Sequence, residues 1–198
     1  SIGGPRQGGN VRIRSSLGSD VSAGSLSIDT RAATPNALSS PGSANSGSVE
    51  VGALFGSSLS VFNATSILTG ANSESDPAGY GTETNGGGVT LDASFGSTLD
   101  LQGITINTLA RSGASGSGTP FTNRSGDITL RSQIGSNLTA PGTITLNAGI
   151  ESVGGVQPQL GELTGGDISI TADSSGLQLG PLNAAATSSG PGTVGGAI

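Results

Sequence analysis

The side chains able to do chemistry in this 198-residue chain are almost all carboxylates: thirteen Asp and Glu against seven Arg, with no His, Cys or Lys. Cutting a polysaccharide by acid–base chemistry needs acids clustered with one another or with Lys, Arg or His. Here the acids are scattered through Asp20, Asp29, Glu50, Asp92, Asp100, Asp127, Glu151, Glu162, Asp167 and Asp173, so the chain is read as no enzyme. One stretch, Asn72-Ser73-Glu74-Ser75-Asp76, gathers oxygen ligands with Glu83 nearby. Glu74, Asp76 and Glu83 make a weak calcium candidate. They lack the regular Asp and Gly spacing of a calcium loop, and a solvated acidic loop is the alternative. No other cofactor is expected. Tyr80, the only tyrosine, either anchors a sugar or a neighbouring protein through its ring or packs against its own loop. Asn63, Asn123 and Asn137 open glycosylation sequons, which chance supplies freely in a chain so rich in Asn, Ser and Thr. Thr143/Thr145 would suit an ice-binding face, but that pair does not recur from turn to turn.

These residues sit on a repeating frame. The signal is Gly, one residue, then apolar-polar-apolar. It opens repeats near 9, 47, 87, 126 and 166, as in Gly9-Asn10-Val11-Arg12-Ile13 and Gly126-Asp127-Ile128-Thr129-Leu130. The apolar starts at Val11, Val49, Val89, Ile128 and Ile168 lie 38, 40, 39 and 40 residues apart. Such a period marks a stacked solenoid. A first strand carries pairs such as Val89/Leu91, and a second, ten residues on, carries pairs such as Leu99/Leu101. A third carries Leu26/Ile28, Ile104/Ile106 and Ile144/Leu146. Gly-rich corners separate them, and about 17 Ser-, Gly-, Asn-, Thr- and Pro-rich residues lead to the next repeat. The fold expected is all-β: a parallel β-helix (β-solenoid) with three short strands per turn and about five turns, residues 1–198 forming a single segment. A rival parse places two coils in each period, with the first and third strands on one face. Leu17, Phe55, Phe95 and Ile134, each six residues after a strand start, are expected to stack as an internal column. Arg12 with Glu50, and Asp92 with Arg131, are expected to face each other across adjacent turns.

Composition narrows the partners. Charged residues are 10% of the chain and the net charge is −6, which argues against nucleic acid, whose phosphates call for a basic surface. No apolar run approaches the roughly 20 residues that span a bilayer. Gly195-Gly196-Ala197-Ile198 reads as the opening of a sixth repeat, so the chain is expected to be a piece of a longer one.

The Gly-x-[Ile/Val]-x-[Ile/Leu] start, the following Leu-x-Leu pair and the Ser/Thr/Gly return resemble filamentous-haemagglutinin-type repeats. Segments such as Gly142-Thr143-Ile144-Thr145-Leu146-Asn147-Ala148 and Gly166-Asp167-Ile168-Ser169-Ile170-Thr171-Ala172 carry that resemblance. It covers essentially the whole chain and looks most like large secreted proteins of this type in cyanobacteria. The resemblance implies a right-handed β-helix, export by two-partner secretion, and a place at the cell surface or outside it as adhesin or fibre. Two functions are therefore expected to compete. One is a stiff structural rod that associates end to end or with further coils of the same chain. The other is a module whose loops at 30–46, 69–86, 107–125 and 147–165 bind glycans or a surface protein.

Overall fold

The computed structural model describes residues 6–34, 43–73, 83–113, 122–153, 163–189 and 193–198. They form a β-solenoid in which every paired strand is parallel, and among them no helix occurs. Hydrogen-bonded neighbours lie one full period apart. Val11 pairs with Val49, Val49 with Val89, Val89 with Ile128 and Ile128 with Ile168. Each period is thus one coil, and the two-coil parse does not apply.

Each coil contributes to four sheets. A leading sheet has two-residue strands: Arg6–Gln7, Ala44–Asn45, Thr84–Asn85, Asn123–Arg124, Leu163–Thr164 and Thr193–Val194. A core sheet holds the first expected strand: Val11–Ser16, Val49–Leu54, Val89–Ser94, Ile128–Gln133 and Ile168–Asp173. A broad sheet contains the second and third expected strands, joined without a break in Ser58–Leu68 and Thr98–Asn107. They are separate in the other coils, for example Asn137–Ala140 and Ile144–Asn147. A return sheet follows with Ala32–Thr34, Ala71–Ser73, Ala110–Gly113, Ile150–Val153 and Ser188–Ser189. The leading and return strands fall inside the stretches expected to be loops. Residues 193–198 begin a sixth coil, with Thr193–Val194 paired to Leu163–Thr164.

The main core lies between the core and broad sheets. Residues at strand offsets 0, 2 and 4 point inward, so Val51, Leu91, Leu130, Leu99, Leu138, Ile106 and Leu146 are fully buried in coil-on-coil columns. Each buried Leu or Ile contributes about 1.5–3 kcal/mol. A second, thin core of Ala32, Ala44 and Ala71, continued by Ala110, Ile150 and Leu163, lies between the leading and return sheets. Alanine suits it because those sheets are close.

Between the two cores the coil is pinched by a polar waist. Thr30 Oγ1 donates to Gly47 O at 2.7 Å, Thr108 Oγ1 to Gly126 O at 2.5 Å, and Thr69 Oγ1 to Gly87 O. This explains the Gly that opens each repeat. A Cβ on Gly47 would lie 2.1 Å from Gly9 O, one on Gly87 2.1 Å from Gly47 O, and one on Gly126 2.1 Å from Gly87 O. The residue after that Gly also has a task. Asp127 Oδ1 accepts from the Asp167 N–H at 2.9 Å, Asp167 Oδ1 from Ala197 N–H at 2.8 Å, and Asn10 Oδ1 from Ser48 N–H at 2.8 Å.

The expected internal column of Leu17, Phe55, Phe95 and Ile134 is on the outside. These residues are 83%, 52%, 47% and 52% exposed. Alternation would turn offset 6 inward, but the strand ends at offset 5 and the next residue is left-handed. The φ angles are 57°, 56°, 58° and 52°, and Gly18, Gly56, Gly96 and Gly135 follow at 69–72°. Two left-handed residues in succession swing the bulky side chain into solvent. The space inside the corner goes to the following serine, buried at Ser57, Ser97 and Ser136. Ser57 Oγ donates to Leu54 O and Ser97 Oγ to Ser94 O, each at 2.7 Å. In the fifth coil Ser174 takes the left-handed position at φ 51°. There the corner is one residue shorter, which is why Leu177 pairs with Leu138 in register.

Candidate functional site

Among the described residues no group of three or more His, Cys, Asp or Glu is arranged to hold a metal ion. Glu83 is exposed, and its Oε1 accepts from Asn85 Nδ2 at 3.1 Å. Glu74, Asp76 and Tyr80 lie outside the described residues. No described helix is long and apolar enough to cross a membrane.

The carboxylates serve the stack. Arg12 Nε donates to Glu50 Oε2 at 2.9 Å, and Arg14 Nε to Glu50 Oε1 at 2.7 Å. Arg131 donates from Nε and Nη2 to the two oxygens of Asp92 at 3.1 and 3.0 Å. Both cross-coil pairs expected from the sequence are therefore formed. The hydrogen bond to Asp92 is the main influence holding the Arg131 guanidinium above its usual range. Asp92 is only 5% exposed, covered by Arg131 and bonded to Ser94 Oγ at 2.7 Å. Arg111 Nε adds a third cross-coil pair with Glu151 at 2.8 Å. Within one coil, Arg31 bonds Asp29 through Nε at 2.9 Å and Nη2 at 2.6 Å, and these bonds with the Arg31 N–H hold the Asp29 carboxyl below its ordinary range.

Two surfaces stand out from this paired background. The first is a groove where the waist draws the surface inward between the broad and return sheets. It encloses about 590 Å³ and is lined by Asp29, Arg31, Leu68, Asn72, Asn107 and Arg111, with alanine and glycine backbone beneath. Its corner is shaped by Asx turns: Asp29 Oδ1 accepts from Arg31 N–H at 3.0 Å and Asn107 Oδ1 from Leu109 N–H at 2.9 Å. Amides, ion-paired guanidiniums and a small apolar floor give it hydrogen-bonding capacity with little net charge.

The second surface is the outer corner row Leu17, Phe55, Phe95 and Ile134. Backbone bonds lock it coil to coil: Gly18 N–H to Phe55 O at 3.1 Å, Gly56 N–H to Phe95 O at 2.9 Å and Gly96 N–H to Ile134 O at 2.9 Å. The Phe55 and Phe95 rings stack with centroids 4.9 Å apart and planes 12° from parallel. The recurrence of this row is legible in the sequence, and its outward direction is set by the left-handed corner.

The described residues form a parallel β-solenoid with paired charges on its faces and an apolar row along a corner. No protein-family model, curated protein or solved structure matches it.

Proposed function

We propose that this chain is a structural segment of a secreted, cell-surface fibrous or adhesin protein of the filamentous-haemagglutinin type, acting as a stiff rod. The observation that carries this reading is the unbroken coil-on-coil pairing across all four sheets. Nearly all sequence information in such a chain is spent on register: the glycine column, the inward apolar columns and the cross-coil ion pairs. The strand edges of a parallel coil stack suit the addition of further coils or end-to-end association. Electron microscopy of the material from its source tests this. Continuous rods with an axial repeat of about 4.8 Å are expected, and compact particles bearing only this handful of coils would refute it.

The groove favours a second reading, a glycan-binding module. Neutral oligosaccharides fit its mixture of amides, ion pairs and apolar floor better than acidic ones, because Arg31 and Arg111 already hold carboxylates. Screening a panel of neutral glycans against the wild type and Asn107→Leu tests it. Binding that this substitution abolishes would support the module, and no binding to any glycan would remove the reading.

A further inference from the structure

Of the eleven Asn residues in the chain, only Asn85 is followed by Gly. That pair is the most reactive setting for an Asn side chain, because a following residue without Cβ leaves its main-chain nitrogen open to approach. The Gly86 nitrogen attacks Asn85 Cγ. A C–N bond forms, the Cγ–Nδ2 bond breaks, and ammonia leaves with the proton from the Gly86 N–H. Water then opens the five-membered imide at either carbonyl. One opening gives aspartate, and the other gives isoaspartate, in which the main chain runs through the side-chain carbon.

The folded coil restrains every group that must move. Thr84–Asn85 is a two-residue strand of the leading sheet. The Gly86 N–H donates to Arg124 O at 2.7 Å on one side, and Asn85 O accepts from the Ser46 N–H at 2.9 Å on the other. Asn85 Nδ2, the leaving group, donates to Asn45 Oδ1 at 2.9 Å and to Glu83 Oε1 at 3.1 Å. Ring closure needs the Asn85 ψ to leave the extended range, which breaks the two main-chain bonds, and the swing of Cγ breaks the two side-chain bonds. From this we infer that Asn85-Gly86 is a self-modification site that folding closes, so that its conversion records how long a chain has stayed unfolded.

The two residues of the pair have different standing in the coil. Gly86 is required: a Cβ there would lie 2.6 Å from Gly126 N and 2.7 Å from Thr108 O, both backbone atoms. Asn85 is not, because the same register column holds Gln7, Asn45, Arg124 and Thr164 in other coils. The products differ too. Aspartate at this position keeps the main chain intact and stands in register with Arg124. Isoaspartate lengthens the main chain by one carbon just ahead of Gly87, where a Cβ would already lie 2.1 Å from Gly47 O. The Gly87 N–H bond to Thr69 O at 3.0 Å and the Thr69 Oγ1 bond to Gly87 O follow immediately. A chain converted to isoaspartate therefore loses the waist of its third coil and cannot complete the stack. This needs only the coil geometry and does not rest on the fibre reading.

Parallel incubations of the 198-residue chain, folded and in denaturant, in mildly alkaline heavy-oxygen water test it. Each conversion takes up one labelled oxygen, and peptide mapping by mass spectrometry reads it site by site, with fragmentation that separates aspartate from isoaspartate. In denaturant, Asn85 should convert faster than any other Asn. In the folded chain it should convert at least about tenfold more slowly than in denaturant, because reaction waits for local opening. Asn85→Thr, which copies Thr164, should fold and lose the leading product. A partly converted sample is then refolded and given a brief protease pulse. Isoaspartate chains should be digested first, while unconverted chains and the Asn85→Asp variant survive. Equal rates in the folded and unfolded chain would overturn the proposal, as would another Asn reacting first in denaturant. Equal survival of isoaspartate and unconverted chains would overturn the loss of the third coil. Digestion of Asn85→Asp as fast as isoaspartate would place the cause in charge and overturn the added carbon as its source.

Discussion

Adding one methyl group at the glycine column should have opposite consequences at two positions of the same motif. A Cβ at Gly126 would lie 2.1 Å from Gly87 O and 2.4 Å from Gly87 C. Both are backbone atoms that no side-chain rotation can move. Relief needs the coils to part locally by about 1 Å, which takes hydrogen bonds of ordinary length beyond their working range. Three bonds are exposed to that movement: Gly86 N–H to Arg124 O at 2.7 Å, Val89 N–H to Asp127 O at 2.8 Å, and Thr108 Oγ1 to Gly126 O at 2.5 Å. Each is worth about 1 kcal/mol, more where a buried group is left unpaired, so Gly126→Ala should lose about 3–5 kcal/mol. Gly9 opens the same motif one stack end away, and a Cβ there meets nothing within 4 Å. Gly9→Ala should be neutral or stabilising by up to about 1 kcal/mol, through a less flexible unfolded chain. Denaturant unfolding of both variants of the 198-residue chain, followed by far-ultraviolet circular dichroism, reads the difference. A Gly126→Ala midpoint equal to wild type, or a Gly9→Ala loss as large as that at Gly126, would refute close coil approach as the reason for the motif.

Three other substitutions separate the remaining contributions. Arg131→Ala should lose about 2–3 kcal/mol, because it strips the nearly buried Asp92 of its cation, whereas Arg12→Ala, on an exposed guanidinium, should lose at most about 1 kcal/mol. Equal losses in denaturation would contradict this. Thr65 Oγ1 is buried with no hydrogen-bond partner among the described residues, in a column with Leu26 and Ile104. Thr65→Val should therefore raise stability by about 1 kcal/mol, and a lowered midpoint would show that the hydroxyl has a partner. Asp29 has its folded-state pKa lowered by Arg31, so its contribution is present above the unfolded-state value and lost as pH falls through the folded one. Asn in its place keeps the Asx turn and should flatten that acid limb slightly. An unchanged acid limb would refute the linkage.

The strand columns were legible because a coil that must bury one face of each strand has to repeat apolar-polar-apolar at fixed offsets. Val89/Leu91, Leu99/Leu101 and Ile104/Ile106 did so. The ion pairs followed from register alone. The corner row was misplaced because alternation says nothing about a residue just beyond the strand, where the sign of φ decides. Phe95-Gly96-Ser97 did hold a clue: a Gly-Ser pair after a bulky residue leaves the serine to fill the inside. The leading and return strands were hidden for another reason. Their inward columns mix residue types, as in Ala44, Thr84, Asn123 and Leu163. Thr84 is satisfied there by Asn123 Oδ1, which accepts from its N–H at 2.5 Å and its Oγ1 at 2.9 Å, so burial needs no hydrophobic signal. Of the calcium candidate only Glu83 is described, and its Oε1 accepts from Asn85 Nδ2; Glu74, Asp76 and Tyr80 lie outside the described residues.

Parallel pairing gives the rod a direction, since every strand edge on one end differs from every edge on the other. In the proposed rod, contacts along the axis would be heterologous and would always leave an edge for the next coil or copy. Growth of the proposed rod would therefore run along one axis and keep one polarity.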